Sequence, residues 1–279
     1  MIRCVLVLTA FAILTVALAP FQLLALALRL PIQRTIPYYY HRILCALIGV
    51  RIRTAGKRAP DFPLLILSNH ASWLDIVVIT ALTPAVFVAK KEVARWPVFG
   101  WLAKLQRTIF VERERRQRVG EQSREIGARL IDGDAVVLFA EGTSGDGQRV
   151  LPFRSALVGA VHHALAENSD HSAITVQPLS IAYVGLNGLP VGRMWRDRVA
   201  WYGDAGLMSH LIGVLSSGAI DVTLSWGEAR AHDARADRKQ ITREAETAVR
   251  RMTVTALRRG PVCEPQTAVD DARILPGIA

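Results

Sequence analysis

The chain has few cysteines, and their arrangement excludes two common architectures. Cys4, Cys45 and Cys263 are odd in number and widely spaced, with no Cys-x-x-Cys pair. That pattern argues against both a disulfide framework and a cysteine-held zinc site. Gly-x-Gly-x-x-Gly and the P-loop are also absent, which removes the usual cradles for dinucleotides and nucleoside triphosphates. The nearest approach to a nucleophile elbow, Gly142-Thr143-Ser144-Gly145-Asp146, has Asp at its fifth position where that motif needs Gly. His162 and His163 are adjacent, so on a helix their rings point in different directions and make a poor metal pair. No nucleic-acid motif and no internal repeat is present. The expectation is a chain without a metal, without a resident cofactor and without a nucleic-acid partner.

Acidic residues are missing from one stretch in particular. Residues 29 to 58 hold Arg29, Arg34, Arg42, Arg51, Arg53, Lys57 and Arg58 and no Asp or Glu. The whole chain carries a net charge of +10 with a pI near 10.1. Basic proteins of this kind meet nucleic acid, anionic lipid or acidic proteins. Here Tyr38, Tyr39, Tyr40, Leu44, Leu47 and Ile48 are interleaved with the basic residues, a mixture suited to a membrane interface with anionic lipids. A plain stop-transfer flank reads the same way without any lipid preference.

Just before that stretch charge vanishes altogether. Cys4 to Leu28 is 25 residues without a charged side chain. As a helix it would reach about 37 Å, more than the roughly 30 Å of a bilayer's hydrocarbon core. Pro20 interrupts it, so a kinked span and a re-entrant helix pair are both open. A signal peptide cleaved after Ala17-Leu18-Ala19 competes, but the apolar run continues to Leu28, which favours a retained anchor. With Arg3 alone on one flank, the positive-inside rule puts the remainder in the cytoplasm.

With 279 residues and a mean hydropathy of +0.25, the chain is long enough for one large α/β domain plus an appendage. Strand-like segments at 64–68, 85–88, 109–111, 135–140, 174–184 and 219–226 alternate with helix-like ones at 72–82, 114–131, 155–167, 207–215 and 237–258. An interfacial amphipathic helix is expected at 33–48. Alternation with short connections predicts an α/β fold with a mainly parallel sheet flanked by helices. The predicted organisation is an anchor with its interfacial helix at 1–48, a domain at 49–259 and a loose tail at 260–279.

Asn69-His70-Ala71-Ser72-Trp73-Leu74-Asp75 joins the first of these strands to the helix after it. An imidazole on such a turn, with a carboxylate on its other nitrogen, makes a general base. In a regular helix a five-residue step would separate the two side chains by about 140°, so they meet only if His70 precedes the helix. Ser72-x-x-Asp75 is also a capping-box pattern, which would leave Asp75 a cap and His70 a buried turn residue. The spacing leaves both readings open. No Ser or Cys stands as an obvious nucleophile, which points to a base that activates a substrate hydroxyl.

A second cluster, Phe139-Ala140-Glu141-Gly142-Thr143-Ser144-Gly145-Asp146-Gly147, follows the apolar run Ala135-Val136-Val137-Leu138. It places a carboxylate and backbone N–H groups at a strand end, where open α/β sheets bind ligands. By itself it reads equally as a Gly/Asp-rich surface loop. Arg113 closes the short run Thr108-Ile109-Phe110-Val111-Glu112 and could hold a phosphate or carboxylate, or be an ordinary surface arginine.

Taken in order, these stretches resemble the lysophosphatidic acid acyltransferase family, the glycerolipid O-acyltransferases. Asn69, His70 and Asp75 match its N-H-x-x-x-x-D block, and Phe110-Val111-Glu112-Arg113 its second block. Phe139, Glu141, Gly142 and Thr143 match F-P-E-G-T-R-S, and Val176-Gln177-Pro178-Leu179 matches a block with proline after a strand. The resemblance covers about residues 50 to 230. It implies that His70 takes the proton of an acceptor hydroxyl, which attacks the thioester of acyl carrier protein or acyl-CoA, with Asp75 orienting His70. It implies that Asn69, Arg113, Glu141, Gly142, Thr143 and Ser144 form the acceptor site.

Ala140 stands where the family has proline, and Ser144 where it has the arginine that helps hold the acceptor phosphate. The run from Glu141 through Gly147 and on to Leu151-Pro152-Phe153-Arg154-Ser155-Ala156-Leu157 is more similar to the branch that acylates lyso-ornithine lipid, whose amino-acid headgroup has no phosphate. The resemblance thus implies a lyso-ornithine lipid acceptor. The alternatives are 1-acyl-sn-glycerol-3-phosphate as acceptor, or both, or a membrane-anchored lipid-binding protein with decayed catalysis.

Overall fold

The computed structural model describes residues 2–112, 119–156, 158–159, 173–233 and 236–261. Two helices come first, α1 (Ile2–Ala27) and α2 (Thr35–Ile48), joined by a 3₁₀ turn at Pro31–Arg34. Next come β1 (Val50–Ala55), β2 (Leu64–Ser68), α3 (Leu74–Leu82), β3 (Val86–Lys90), α4 (Phe99–Leu105) and β4 (Ile109–Val111). The remainder comprises α5 (Val119–Ile131), β5 (Ala135–Phe139), β6 (Ala173–Leu186), β7 (Leu189–Pro190), α6 (Leu207–Ser217), β8 (Ile220–Trp226), β9 (Arg230–Asp233) and α7 (Arg238–Arg259).

The strands form one sheet in the order β1-β8-β6-β2-β5-β3-β4, with β7 and β9 pairing only β6. Five of its pairings are parallel, and only those of β6 with β7, β8 and β9 are antiparallel. Every residue of β2 and β5 is buried, as expected for parallel strands covered on both faces. Leu64 and Ile66 join one core cluster, whereas Leu65 and Leu67 join the other. The first cluster packs under α1, α2, α3 and α6, and the second under α5 and α7. The expected α/β fold is what forms.

Strand β1 is absent from the sequence expectation because Arg51 and Arg53 read as part of the basic flank. It is an edge strand paired only with β8, where Arg51 Nε meets Asp221 Oδ1 of that neighbour at 2.7 Å. Pro178 lies inside β6 rather than after a strand. Its carbonyl accepts from Gly227 N–H at 2.8 Å, where β8 has ended and β9 has not begun pairing. A missing N–H is tolerated at that break. Helix α4 has only seven residues, too few for periodicity to reveal. The predicted helix at 155–167 lies largely outside the described residues, as do 114–118 of its neighbour, His162, His163, Cys263 and the tail beyond Pro261.

Residues 2–48 are part of the same body. Cys4, Val7, Leu44 and Ile48 share a core cluster with Leu64, Phe87 and Leu224 of the sheet. Helix α1 continues unbroken through Pro20 and runs along the protein. At one end Arg3 donates to the carbonyls of Leu215 and Ile48. Towards the other, Gln22 donates to Gln33 O at 3.0 Å and Leu105 O at 2.8 Å. Both ends of α1 are thus tied to neighbouring elements: Arg3 to the ends of α2 and α6, Gln22 to the 3₁₀ turn and the end of α4. Its outer face carries exposed Leu6, Ile13, Val16, Phe21 and Leu24, an apolar surface that associates the protein with a membrane.

Candidate active site

Strands β2 and β5 are parallel neighbours with Ser68 opposite Phe139. The turn after β2 and the loop after β5 therefore leave the sheet at the same edge, side by side. This registry brings Asn69–Asp75 and Glu141–Gly147 together across some seventy residues of chain.

His70 precedes α3, and its Nδ1 lies 2.7 Å from Asp75 Oδ2. The same oxygen accepts from the backbone N–H groups of Ala71 at 2.7 Å and Ser72 at 3.0 Å. The bond to Ser72 is one half of a capping box, so one carboxylate oxygen meets both the His70 ring and the start of α3. Asp75 is fully buried, while the His70 side chain is 19% exposed. A buried carboxylate on Nδ1 fixes the tautomer that leaves Nε2 a lone pair. The ring lies flat on Phe139, with centroids 4.0 Å apart and planes 15° apart.

Tyr183, on β6, donates its hydroxyl to Asp75 Oδ1 at 2.6 Å. Burial and the facing Asp75 carboxylate push that phenol well above its ordinary range, so it stays a donor. Sequence reasoning missed Tyr183. It sits mid-strand among apolar residues, and a β strand offers no spacing signal for a contact made across the sheet.

Asn69 and Glu141 reach backbone rather than open space. Asn69 is buried, with Nδ2 donating to Ile181 O and Oδ1 accepting from Ile181 N–H, each at 2.9 Å. Its side chain extends the β2–β6 pairing past Leu179 and pins the turn that carries His70. Glu141 accepts from His70 N–H at 3.1 Å through Oε2 and from Leu151 N–H at 2.9 Å through Oε1. Burial pushes its carboxyl up to about 8, although those two hydrogen bonds pull the other way. Gly142 takes φ +73° and its N–H bonds Phe139 O at 3.0 Å, a turn that folds Glu141 back under His70.

Thr143 is exposed and Ser144 half-buried. Gly145 N–H bonds His70 O at 2.8 Å, and Trp201 N–H bonds Ala71 O at 2.7 Å. Arg113 lies outside the described residues. The strand that leads to it, β4, ends beside Glu112, which bonds Lys91 Nζ at 3.3 Å.

An apolar cavity of about 220 Å³ opens beside this turn, walled by Phe11, Leu18, Tyr40, Trp73, Ile76 and Leu211. Trp73 and Ile76 belong to the turn and helix that follow His70. Trp73 is steadied by its Nε1–H bond to His210 Nδ1 at 2.9 Å. A partly exposed imidazole, a buried carboxylate behind it and an apolar chamber alongside suit a reaction between a polar hydroxyl and a long apolar group.

A family model described as Acyltransferase matches residues 50–182. The chain is 50% identical over 256 residues to a lyso-ornithine lipid O-acyltransferase of Brucella abortus, covering 92% of this chain and 96% of that one. It is 44% identical to the protein of the same description from Rhizobium meliloti, covering 88% and 83%. The crystal structure of the 1-acyl-sn-glycerophosphate acyltransferase PlsC of Thermotoga maritima shares the fold, with a TM-score of 0.63 at 18% identity over 91% of this chain and 96% of that one.

Proposed function

Because the chain belongs to the acyltransferase family, we propose that it transfers a fatty acyl group to the free hydroxyl of a lysolipid, and that lyso-ornithine lipid is the acceptor. The observation that carries this is the 2.7 Å contact between His70 Nδ1 and a fully buried Asp75, on a turn beside the apolar cavity. The acceptor reading is supported by the two relatives of that description and by Ser144 in place of a phosphate-binding arginine.

In this reading His70 Nε2 takes the acceptor's hydroxyl proton as its oxygen attacks the thioester carbonyl. When the tetrahedral adduct collapses, the C–S bond breaks and the imidazolium returns the proton to the departing thiolate. No acyl-enzyme forms, in keeping with the lack of a placed nucleophile. Asp75 stabilises the imidazolium. Asn69 and Glu141 act as positioning residues through the backbone of the His70 turn. Gly142, Thr143 and Ser144 line the acceptor side, and Arg113 remains assigned there. The acyl chain lies in the cavity, and its donor is acyl carrier protein or acyl-CoA, with no resident cofactor. The basic, aromatic stretch from Arg29 to Arg58 meets anionic lipids on the cytoplasmic side of the inner membrane.

The test is turnover by purified protein with acyl carrier protein or CoA thioesters and a panel of lysolipids. Two-chain ornithine lipid is the expected product. Product from lysophosphatidate alone would replace the acceptor, and no product from any lysolipid would leave a lipid-binding protein with decayed catalysis.

A further inference from the structure

One charged residue near the site is turned the wrong way for a surface arginine. In the 3₁₀ turn Arg193–Arg198, residues Arg193, Met194, Trp195, Asp197 and Arg198 are exposed. Arg196 alone is turned inward, at 7% exposure. Ordinary sorting buries Met and Trp and leaves Arg in water. Arg196 Nη1 donates to Tyr183 O at 3.0 Å, and Nε is buried without a partner. Burial holds the guanidinium below its usual range, while the Asp146 carboxylate acts in the opposite sense. A buried guanidinium with an unmatched donor and no carboxylate bonded to it is costly unless an anion comes to pair with it.

Arg196 stands against the loop that follows Glu141-Gly142-Thr143-Ser144. Gly147 takes φ +70°, and a Cβ there would lie 3.3 Å from Ala71 Cβ and 3.9 Å from Arg196 Nη1. The guanidinium and Ala71, the residue after His70, thus both border Gly147. Asp146 stands on the same loop. Its Oδ1 accepts from Gln148 N–H at 2.9 Å and Arg149 N–H at 3.4 Å, and Oδ2 takes part in neither bond. A fixed cation and a fixed anion therefore lie close together on the loop side of His70.

We propose that Arg196 and Asp146 form the headgroup subsite and that it takes a zwitterion, with the guanidinium on a carboxylate and Asp146 Oδ2 on an ammonium. Ornithine supplies both groups, so the proposal rests on the acceptor reading above. A phosphate monoester would gain Arg196 but meet Asp146 as a like charge, and that repulsion selects against it. The pair explains how Ser144 can replace an arginine without leaving the acceptor's anion unpartnered.

The first measurement needs no variant. Wild-type kinetics are compared on lyso-ornithine lipid, on its carboxyl methyl ester, and on the form with its side-chain amine acetylated. Each modification is expected to raise KM roughly tenfold or more, as loss of a charge-assisted hydrogen bond does, with a smaller effect on kcat. Arg196→Gln should lose on the acid but add nothing further on the ester. Asp146→Asn should lose on the amine but add nothing on the acetylated form. Indifference of the wild type to both modifications, while it turns over the parent acceptor, overturns the subsite alone. Equal losses by the variants on modified and unmodified acceptors do the same. If the wild type acylates lysophosphatidate and no lyso-ornithine lipid, the acceptor reading fails and the subsite fails with it.

Discussion

The Tyr183 hydroxyl donates to Asp75 Oδ1 at 2.6 Å, so the carboxylate that holds His70 is itself held from β6. The site is tied to β6 a second time through Asn69 and Ile181. Both ties come from the strand next to the one that delivers His70, and they leave the turn little freedom to rotate.

His70→Ala should lower kcat by roughly 10²–10⁴-fold, the range for loss of a general base, with the protein still folded because the ring is partly exposed. Initial rates with a saturating thioester donor measure this. A variant within a few-fold of wild type would remove the base from the mechanism.

Tyr183→Phe deletes one hydrogen bond to a buried carboxylate, an interaction that contributes about 1.5–3 kcal/mol. A lower denaturation midpoint and a kcat reduced by about tenfold are expected. The decisive comparison is a double-mutant cycle. If the tyrosine acts through His70, its effect on rate disappears in the His70→Ala background. Persistence of the full rate effect there would show that it serves stability only.

Glu141 gives stability a pH dependence of definite sign. Its carboxyl rises from an ordinary 4.5 to about 8 on burial, so over that window the native protein keeps a proton that the unfolded chain has released. Stability from this group is full in acid and is lost as pH rises through about 8. Glutamine has no such proton. The wild-type advantage over Glu141→Gln in denaturation midpoint should therefore shrink from about pH 5 to about pH 9. A gap that stays constant across that range contradicts the burial effect.

Asp134 carries a different load. Arg107 Nη1 and Nη2 both bond it at 2.7 Å, and both residues are buried. Arg34 Nε joins from the 3₁₀ turn at 3.1 Å. Asp134→Ala leaves a buried guanidinium unpaired and should destabilise by about 3–5 kcal/mol, read from denaturant midpoints. The remaining activity per folded molecule should match wild type, since the pair lies beside Pro84 and Gln106 rather than at the His70 turn.

How legible the protein was depended on the kind of signal each part carried. Strands β2 and β5 are unbroken apolar runs and could be read to within a residue. The His70 and Glu141 motifs are local in sequence and could be read as well, though their contact could not, because it depends on Ser68 lying opposite Phe139. Tyr183 and Arg196 carried no local signal: one is an aromatic in a strand, the other one arginine among many. Asn69 and Glu141 were legible as members of the motifs, but their hydrogen-bond partners were not. Composition cannot show that their polar atoms are spent on the backbone of Ile181, His70 and Leu151. Strand β1 was hidden because alternating arginine reads as a basic flank until an edge position is known.

The way α1 is fastened bears on how this protein can be handled. Arg3 and Gln22 bind it to the body at two places, and its inner face supplies Phe11 and Leu18 to the chamber wall. Trimming the N-terminus in search of a water-soluble catalytic fragment would therefore remove a side of the chamber and bare the apolar faces of α2 and α6. The fragment would be stickier than the parent. Detergent or nanodisc preparations of the full-length chain are the form in which its chemistry can be studied.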